Sequence, residues 1–343
     1  MTNRTVPSLG VVIVTYASAD VIEGCLSALF QQTAVSLEIV VIDNASPDGT
    51  VEAVQAMSGD VPAPHRIDVF RSGGNRGFAG GVNLGLKVLK ARPHLNRFWI
   101  LNPDAIPEPG CAAALAGHPA AGGFGLMGGR VLYAEAPQNI QIDGGTIDRV
   151  TGRTGNLNLG KPRTASPPEA SQIDFITGAS LVASRTFLEK SGPMEEGYFL
   201  YYEEVDWALR RRDLPLLYCA DAIVLHKAGT AIGSPTLGRK ASAFSLWFKH
   251  RARMMFVRRH LPRRLWAARA YGAAKSLQSL LRRDGGAWAT FAGTFGLGMP
   301  ATVRRRLKAT TIPEFGGPSR WDQVPDAAMV TSSAGSPSTS PTR

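Results

Sequence analysis

The stretch LEIVVIDNASPDGT, residues 37–50, decides the fold class. It joins an apolar run, 37–42, in which Glu38 is the one polar residue, to a carboxylate and then to a turn. An apolar run of this length that ends at turn residues predicts a strand buried on both faces of a sheet. A second such run spans 11–14, and a helical spacing of apolar residues over 21–30 lies between the two. The order strand, helix, strand predicts a parallel sheet of the α/β class.

The same alternation continues to about residue 101. A helical pattern over 50–57 precedes a strand at 67–71, and the glycine-rich segment 73–85 leads into a helix and a further strand at 97–101. Ligands of open α/β sheets bind beyond the carboxyl ends of the strands, and glycines there let backbone N–H groups approach a phosphate. The pattern lacks Gly-x-Gly-x-x-Gly after the first strand, which argues against a dinucleotide-binding dehydrogenase. The candidate nucleotide-sugar-binding residues in the loops after these strands are Thr15, Tyr16, Asp43, Asn44, Arg76, Gly77, Asn83 and Asn102.

The composition is that of an ordinary globular protein. The 343 residues include 38 Lys and Arg, 27 Asp and Glu, and three widely spaced cysteines. This excludes an intrinsically disordered or disulfide-stapled chain, and we expect the cysteines to be buried and reduced in a cytoplasmic protein. The first residues do not resemble a signal peptide, and no run of about 20 strongly apolar residues predicts a membrane span.

Positive charge is concentrated near the C-terminus. Residues 239–310 hold 17 of the 38 Lys and Arg residues and a single acid, Asp284, so this segment carries +16 and the rest of the chain −5. Apolar residues recur at helical spacing over 244–255, with Arg253 largely off that stripe, and again over 270–281. A cationic amphipathic segment of this kind is expected to bind an anionic membrane surface. A helical subdomain with a solvated basic face and a nucleic-acid-binding module are the alternatives, although no nucleic-acid motif is present.

Two polar residues that follow apolar strands are candidate metal ligands. Asn102-Pro103-Asp104 follows the strand at 97–101, and His226 follows an apolar run at 218–225. A carboxylate and an imidazole suit Mg²⁺ or Mn²⁺ when phosphate oxygens complete the coordination. A plain turn and a histidine without a ligand role are the alternative interpretation.

Three carboxylates lie within four residues, flanked by aromatic residues. Burial and like-charge repulsion among Glu203, Glu204 and Asp206 would raise one pKa toward neutrality, as a general base requires. The alternative is an acidic helix N-terminus, favoured by the helix dipole. The two interpretations are compatible.

Five motifs, taken together, are similar to those of a known family. In order they are VVIVTY at 11–16, VIDNASPDGT at 41–50, NRGFAGGVN at 75–83, LNPD at 101–104 and YYEEVDW at 201–207. The series resembles family 2 glycosyltransferases, most closely their bacterial rhamnosyltransferase branch, over about residues 8–235. The resemblance implies a GT-A fold with a Rossmann-like nucleotide-binding sheet. We therefore expect a GT-A domain over 1–235, a basic amphipathic helical region over 236–310 and a disordered tail over 311–343.

The resemblance also implies an activity, an inverting transfer of a sugar from a nucleotide-diphosphate donor to a hydroxyl of a cell-envelope or exopolysaccharide glycan. The first choice of donor is dTDP-rhamnose, and UDP-galactofuranose or a UDP-hexose is the alternative. The acceptor is expected to be polyprenyl-diphosphate-linked, and the enzyme peripheral on the inner face of the cytoplasmic membrane.

By the same resemblance, individual residues take roles. Thr15, Tyr16, Asp43 and Arg76 would hold the nucleotide, and Asp104 would bind Mg²⁺ or Mn²⁺ with help from His226. Glu204 would be the base, with Asp206 and Glu203 as alternatives. The chain departs from the family pattern at Asn102, which replaces the first Asp of Asp-x-Asp, and at Glu204, where an Asp is common.

Overall fold

The computed structural model describes residues 6–120, 123–227, 240–307 and 320–330. Twelve strands are assigned within these ranges, ten of them in one central sheet. They are β1 Ser8–Thr15, β2 Ser36–Asp43, β3 Arg66–Arg71, β4 Arg97–Leu101, β5 Ala105–Pro107, β6 Leu126–Tyr133, β7 Ala136–Ile142, β8 Gly145–Ile147, β9 Thr154–Asn156, β10 Ser180–Ser184, β11 Leu217–His226 and β12 Ala328–Met329.

The helices cover the sheet and extend the chain beyond it. Most of the first six connect strands, and the last four form a C-terminal layer. They are α1 Ala19–Phe30, α2 Thr50–Ser58, α3 Gly77–Lys90, α4 Cys111–Gly117, α5 Arg185–Ser191, α6 Glu203–Leu209, α7 Ala243–His260, α8 Leu265–Leu281, α9 Ala287–Phe295 and α10 Ala301–Leu307. Among the described residues, we find no helix that is both long and apolar enough to cross a bilayer.

The first half of the chain forms the predicted parallel sheet. The strands β3, β2, β1 and β4 lie side by side in that order and run parallel. Their interior residues are buried because helices cover both faces of the sheet. The carboxyl ends of these strands therefore meet at one edge, where Thr15 lies directly opposite Asp43.

The second half adds antiparallel pairs to the sheet. Strand β10 runs antiparallel to both β4 and β6, and β11 runs parallel to β6. The short β5 pairs antiparallel with β11, in a register that sets His226 opposite Ala105. This pairing brings His226 beside Asp104, although 121 residues separate them in the sequence.

The glycine-rich segment serves the packing of α3 on the sheet. A Cβ atom at Gly81 would lie 2.5 Å from Val14 Cγ1, and one at Gly85 would lie 2.5 Å from Val12 Cγ1. Both separations are below van der Waals contact, so only glycine lets α3 approach β1 this closely. Gly81 and Gly85 therefore serve the contact between helix and strand.

The basic C-terminal region does not form a separate core. The middle of α7 belongs to the same cluster of buried residues as the sheet, and Phe256 packs on Tyr202 with ring centroids 5.5 Å apart. Arg253 is 2% exposed and donates hydrogen bonds to the carbonyl oxygens of Thr151 and Ala268. The predicted boundary at 235/236 therefore does not separate two packing units, and Arg253 faces the protein rather than solvent.

Part of the predicted disordered tail is folded. Strand β12 pairs antiparallel with β3, and Trp321 Nε1 donates to Leu188 O at 3.0 Å. Lys87 reaches the same segment through an ion pair with Asp326 at 2.8 Å. The prediction of a disordered 311–343 is therefore wrong for 320–330, because this segment supplies an edge strand and an aromatic anchor. The ranges 311–319 and 331–343 lie outside the described residues.

Candidate active site

The ends of β1 and β2 hold a buried carboxylate in a fixed orientation. Asp43 is 3% exposed, and its Oδ1 accepts a hydrogen bond from Thr15 Oγ1 at 3.1 Å. Its Oδ2 accepts from the backbone N–H of Ser46 at 3.1 Å. Tyr16, the next residue after β1, is partly exposed beside this pair. These are the predicted nucleotide-binding residues, and the parallel register alone brings Thr15 and Asp43 together.

The start of α3 connects this edge to the loop that precedes α6. Asn44 is buried, and its Nδ2 donates to Gly77 O at 2.8 Å. Gly77 has a φ of +72°, and a Cβ there would overlap the carbonyl oxygen of Phe199. The backbone N–H of Phe78 donates to that same oxygen at 2.9 Å. Asn44 and Gly77 therefore lie where the sequence placed them, and their observed contacts are with the protein itself.

Two further predicted donor-binding residues are engaged elsewhere. Asn83 is fully buried, and its Nδ2 donates to Met194 O at 2.9 Å and to Glu196 Oε1 at 3.0 Å. Its Oδ1 accepts from the Met194 N–H at 2.8 Å, so the side chain anchors a loop and is closed to a nucleotide. Arg76 Nη2 forms a part-exposed ion pair with Glu196 Oε2 at 3.3 Å. Glu196 was not singled out in the sequence, because its role depends on this loop.

Asp104, Asn102 and His226 form a compact polar cluster after β4 and at the end of β11. His226 Nε2 lies 3.1 Å from Asp104 Oδ1 and 3.1 Å from Asn102 Nδ2. The other ring nitrogen, Nδ1, lies 2.7 Å from Gln141 Oε1. An amide oxygen only accepts hydrogen bonds, so Nδ1 carries a proton and donates to Gln141, which leaves Nε2 facing Asp104 and Asn102. Nothing in the sequence pointed to Gln141, which reaches the cluster from β7.

This cluster fits a hard divalent cation. Two ligands on adjacent corners of an octahedron, with bonds of about 2.1 Å, lie about 3 Å apart, close to the separation observed here. Both side chains are less than a tenth exposed. The described residues contain no group of three or more His, Cys, Asp and Glu side chains that could hold a metal. The remaining ligands would therefore come from water or phosphate oxygens, as is usual for Mg²⁺.

A strained turn presents the candidate base. Phe199, Tyr201 and Tyr202 have φ values of +64°, +68° and +67°, a region that aromatic residues rarely occupy. Two hydrogen bonds hold the turn in place. One joins Tyr201 OH and Ser245 Oγ at 2.7 Å, and in the other Tyr202 OH donates to Gly152 O at 2.8 Å. Strain of this kind persists only where the surroundings enforce it, and it concentrates at functional sites.

Glu203 and Glu204 begin α6, where Glu203 is buried and Glu204 is half-buried. Burial raises the pKa of Glu204 from 4.5 to about 7, against the opposing effects of its backbone N–H contacts and the charge of Lys249. Burial, with the charge of Glu204, raises the pKa of Glu203 well above its usual range. Within the described part of the chain, the Oε2 atom of each is buried without a hydrogen-bond partner. Glu204 therefore has the acidity of a general base at neutral pH.

Asp206 has the opposite environment. Burial alone would raise its pKa, but the hydrogen bond from His260 and the charges of Arg210 and Arg259 outweigh burial and lower it. The contacts are 2.7 Å from His260 Nε2, 2.8 Å from Arg210 Nε and 3.3 Å from Arg259 Nη1. A carboxylate held by two guanidinium groups and a histidine ring is a poor proton acceptor, so the structure does not support Asp206 as the base. It joins α6 to α7.

Comparisons with known proteins agree with this geometry. Residues 10–164 match the family described as Glycosyl transferase family 2. A low-salt glycan biosynthesis hexosyltransferase, Agl10 of Haloferax volcanii, is 29% identical over 206 residues, which cover 60% of this chain and 61% of that protein. The chain thus spans less than two thirds of that relative's length. An N-acetylglucosaminyl-diphospho-decaprenol L-rhamnosyltransferase of Mycobacterium tuberculosis is 27% identical over 248 residues, 66% of this chain and 78% of that protein.

Solved structures show the same fold. The mannosyltransferase PcManGT from Pyrobaculum calidifontis, in complex with GDP-Man and Mn²⁺, is 17% identical with a TM-score of 0.50, over 89% of this chain and 84% of that one. GalNAc-T7 with UDP, GalNAc and Mn²⁺ is 14% identical with a TM-score of 0.55, over 90% of this chain and 57% of that one. The predicted α/β GT-A fold is confirmed. Residues 10–164 match family 2 of the glycosyltransferases, and the chain is similar over a longer stretch to a hexosyltransferase and a rhamnosyltransferase.

Proposed function

We propose that this protein is an inverting, metal-dependent glycosyltransferase that moves L-rhamnose from dTDP-rhamnose to a hydroxyl of a lipid-linked cell-envelope or exopolysaccharide glycan. The observation that carries the proposal is the pair of Asp104 and His226, which lies at the ligand-binding edge of a family 2 glycosyltransferase domain. The choice of rhamnose and of a polyprenyl-diphosphate-linked acceptor rests on the name of the mycobacterial relative.

Different residues of this chain would bind the nucleoside, hold the cation and accept the proton. Thr15, Tyr16 and Asp43 would bind the nucleoside, and Asp104 with His226 would hold Mg²⁺ or Mn²⁺. When bound, the cation would neutralise charge on the diphosphate as it leaves. Glu204 would take the proton of the acceptor hydroxyl, and that oxygen would bond to the anomeric carbon as the carbon–diphosphate bond breaks on the opposite face. The configuration at that carbon inverts, and no covalent sugar–enzyme intermediate forms.

The donor is the part of the proposal that most needs a direct measurement. A UDP-galactofuranose or UDP-hexose donor is the alternative, because one methyl or hydroxyl group changes affinity by only about 1 to 3 kcal/mol. We expect the enzyme to lie peripherally on the inner face of the cytoplasmic membrane, because the proposed acceptor is lipid-linked. We do not expect nucleic acid among its partners.

Calorimetry tests the donor site and the metal site together. The full chain is titrated with dTDP-rhamnose, UDP-sugars and GDP-sugars, with and without Mn²⁺. We expect Mn²⁺-dependent binding of dTDP-rhamnose that Asp104→Ala abolishes, while Asp60→Ala, an exposed aspartate, leaves binding unchanged. Binding of a UDP-sugar alone would transfer the proposal to the alternative donor. Absence of binding by every nucleotide sugar would overturn the enzymatic proposal.

A further inference from the structure

Helix α8 has its apolar face on the outside. The side chains that point into the protein are small, namely Ala268, Gly272, Ser276 and Ser279, all buried. Their spacing of four, four and three residues places them on one helical face. This face packs on α9, where Gly272 lies against Thr294 and Ser276 Oγ donates to Ala287 O at 2.8 Å. The bulky residues of the helix therefore have no place in the core.

The opposite face carries the large apolar side chains. Trp266, Leu277, Leu280 and Leu281 are 77%, 56%, 63% and 75% exposed. Offsets of 11, three and four residues return to the same side of an α-helix, so these side chains form one stripe along the helix. Trp288, at the start of α9, is 58% exposed. We call Trp266, Leu277, Leu280, Leu281 and Trp288 the α8 surface. Soluble proteins rarely expose a continuous stripe of this kind without a partner.

The charges around the α8 surface indicate which partner it meets. Residues 261–283 contain six Lys and Arg residues and no acid. Arg263 and Arg264 precede the helix, Arg282 and Arg283 follow it, and Arg269 lies over the Trp266 ring at 5.2 Å. This arrangement suits the surface of a bilayer, where acyl chains lie beneath anionic phosphates. The apolar side chains and the tryptophan would contact the acyl chains, and the basic residues at both ends would contact the phosphates.

We propose that the α8 surface inserts into the interfacial layer of an anionic bilayer, with α8 lying parallel to the membrane plane. The proposal rests on the proposed function only where it makes that bilayer the source of a lipid-linked acceptor. The α8 surface itself is defined by exposure and charge. A second copy of this chain is the competing occupant, and it would give a dimer in solution in place of vesicle binding.

Sedimentation with vesicles tests this docking surface in the full chain. We expect co-sedimentation with phosphatidylglycerol-containing vesicles, weaker binding to phosphatidylcholine alone, and a decrease as salt is raised. The double variant Leu277→Glu/Leu281→Glu should lose at least about tenfold in partitioning. The matched control is Leu159→Glu, which changes an exposed leucine in the loop after β9 and should bind as the unmodified protein does.

Brominated lipids and light scattering decide between the occupants. Bromines below the phosphate layer should quench tryptophan fluorescence, and Trp266→Phe/Trp288→Phe should remove most of that quenching. Unchanged vesicle binding by the double glutamate variant would overturn the proposal. So would a dimer in solution that this variant converts to a monomer without any vesicle binding. Because vesicle binding requires no donor, loss of dTDP-rhamnose binding with intact vesicle binding would count against the proposed function alone.

Discussion

Replacing Glu204 by glutamine should abolish transfer and at the same time stabilise the protein. The unfolded chain releases the Glu204 proton near pH 4.5, whereas the folded chain keeps it until about pH 7. Between these values the folded state binds more protons than the unfolded state, so the free energy of unfolding falls as pH rises. The shift corresponds to roughly 3 kcal/mol, lost in full only above pH 7. Glu204→Gln removes the buried charge and should recover up to that amount at pH 8.

The matched comparison is Asp206→Asn, two residues along the same helix. The folded-state pKa of Asp206 is lowered, so its ionised form stabilises the protein at neutral pH. The amide would leave Arg210, Arg259 and His260 without their common anion. Breaking a buried ion pair from one side destabilises by about 3 to 5 kcal/mol. Two isosteric changes on one short helix should thus shift stability in opposite directions.

Urea unfolding at pH 8 and at pH 4 measures both effects. At pH 8 we expect the midpoint to rise for Glu204→Gln and to fall for Asp206→Asn. At pH 4 the difference between Glu204→Gln and the unmodified protein should vanish, because Glu204 is then protonated in both states. A destabilised Glu204→Gln protein at pH 8, or a pH-independent difference, would refute the assignment of Glu204 as a buried, weakly solvated base.

Three further outcomes are expected. The rate of transfer should fall below about pH 7 as Glu204 becomes protonated, and a flat pH profile from 6 to 8, read by nucleotide release, would contradict this. Gln141→Leu should weaken Mn²⁺ affinity about tenfold by calorimetry, because it frees the His226 ring, whereas the exposed Gln138→Leu on the same strand should not. Gly85→Ala should lower stability by about 1 to 3 kcal/mol in urea unfolding, whereas Gly59→Ala, with open space around it, should change little.

The sequence predicts the sheet well, because strands buried on two faces are nearly pure apolar runs. The runs at 11–14 and 37–42 correspond to the middle of β1 and β2. The pairing of Asp104 with His226 is a consequence of the β5–β11 register, which no local pattern encodes. The contact between Gln141 and His226 could not be predicted for the same reason, because Gln141 lies on β7, in a part of the chain without a regular sequence pattern.

The acidic cluster shows a second limit of sequence reasoning. Glu204 and Asp206 are two residues apart, so on a helix they point about 200° away from each other. This spacing predicts that the two carboxylates have different surroundings, but it does not predict which of them contacts basic side chains. Arg210 is only four residues further on, but Arg259 and His260 lie more than 50 residues further on, at the end of α7. The docking of α7 adds these two side chains to the contact with Arg210, so that the pKa of Asp206 is lowered while that of Glu204 is raised.

The docking of α7 divides the basic segment, residues 239–310, into two parts with different roles. Several arginines of α7 contact the rest of the protein. Arg251 donates to the carbonyl oxygens of Gly197 and Tyr198, just before the strained turn, and Arg259 binds Asp206 and Glu195. These cations support the helix that carries Glu204. From α8 onward the charges surround an outward apolar stripe. A segment that looks uniformly cationic in the sequence therefore contains arginines of α7 that hold the turn and the helix carrying Glu204, and separate basic residues beside the exposed apolar stripe of α8.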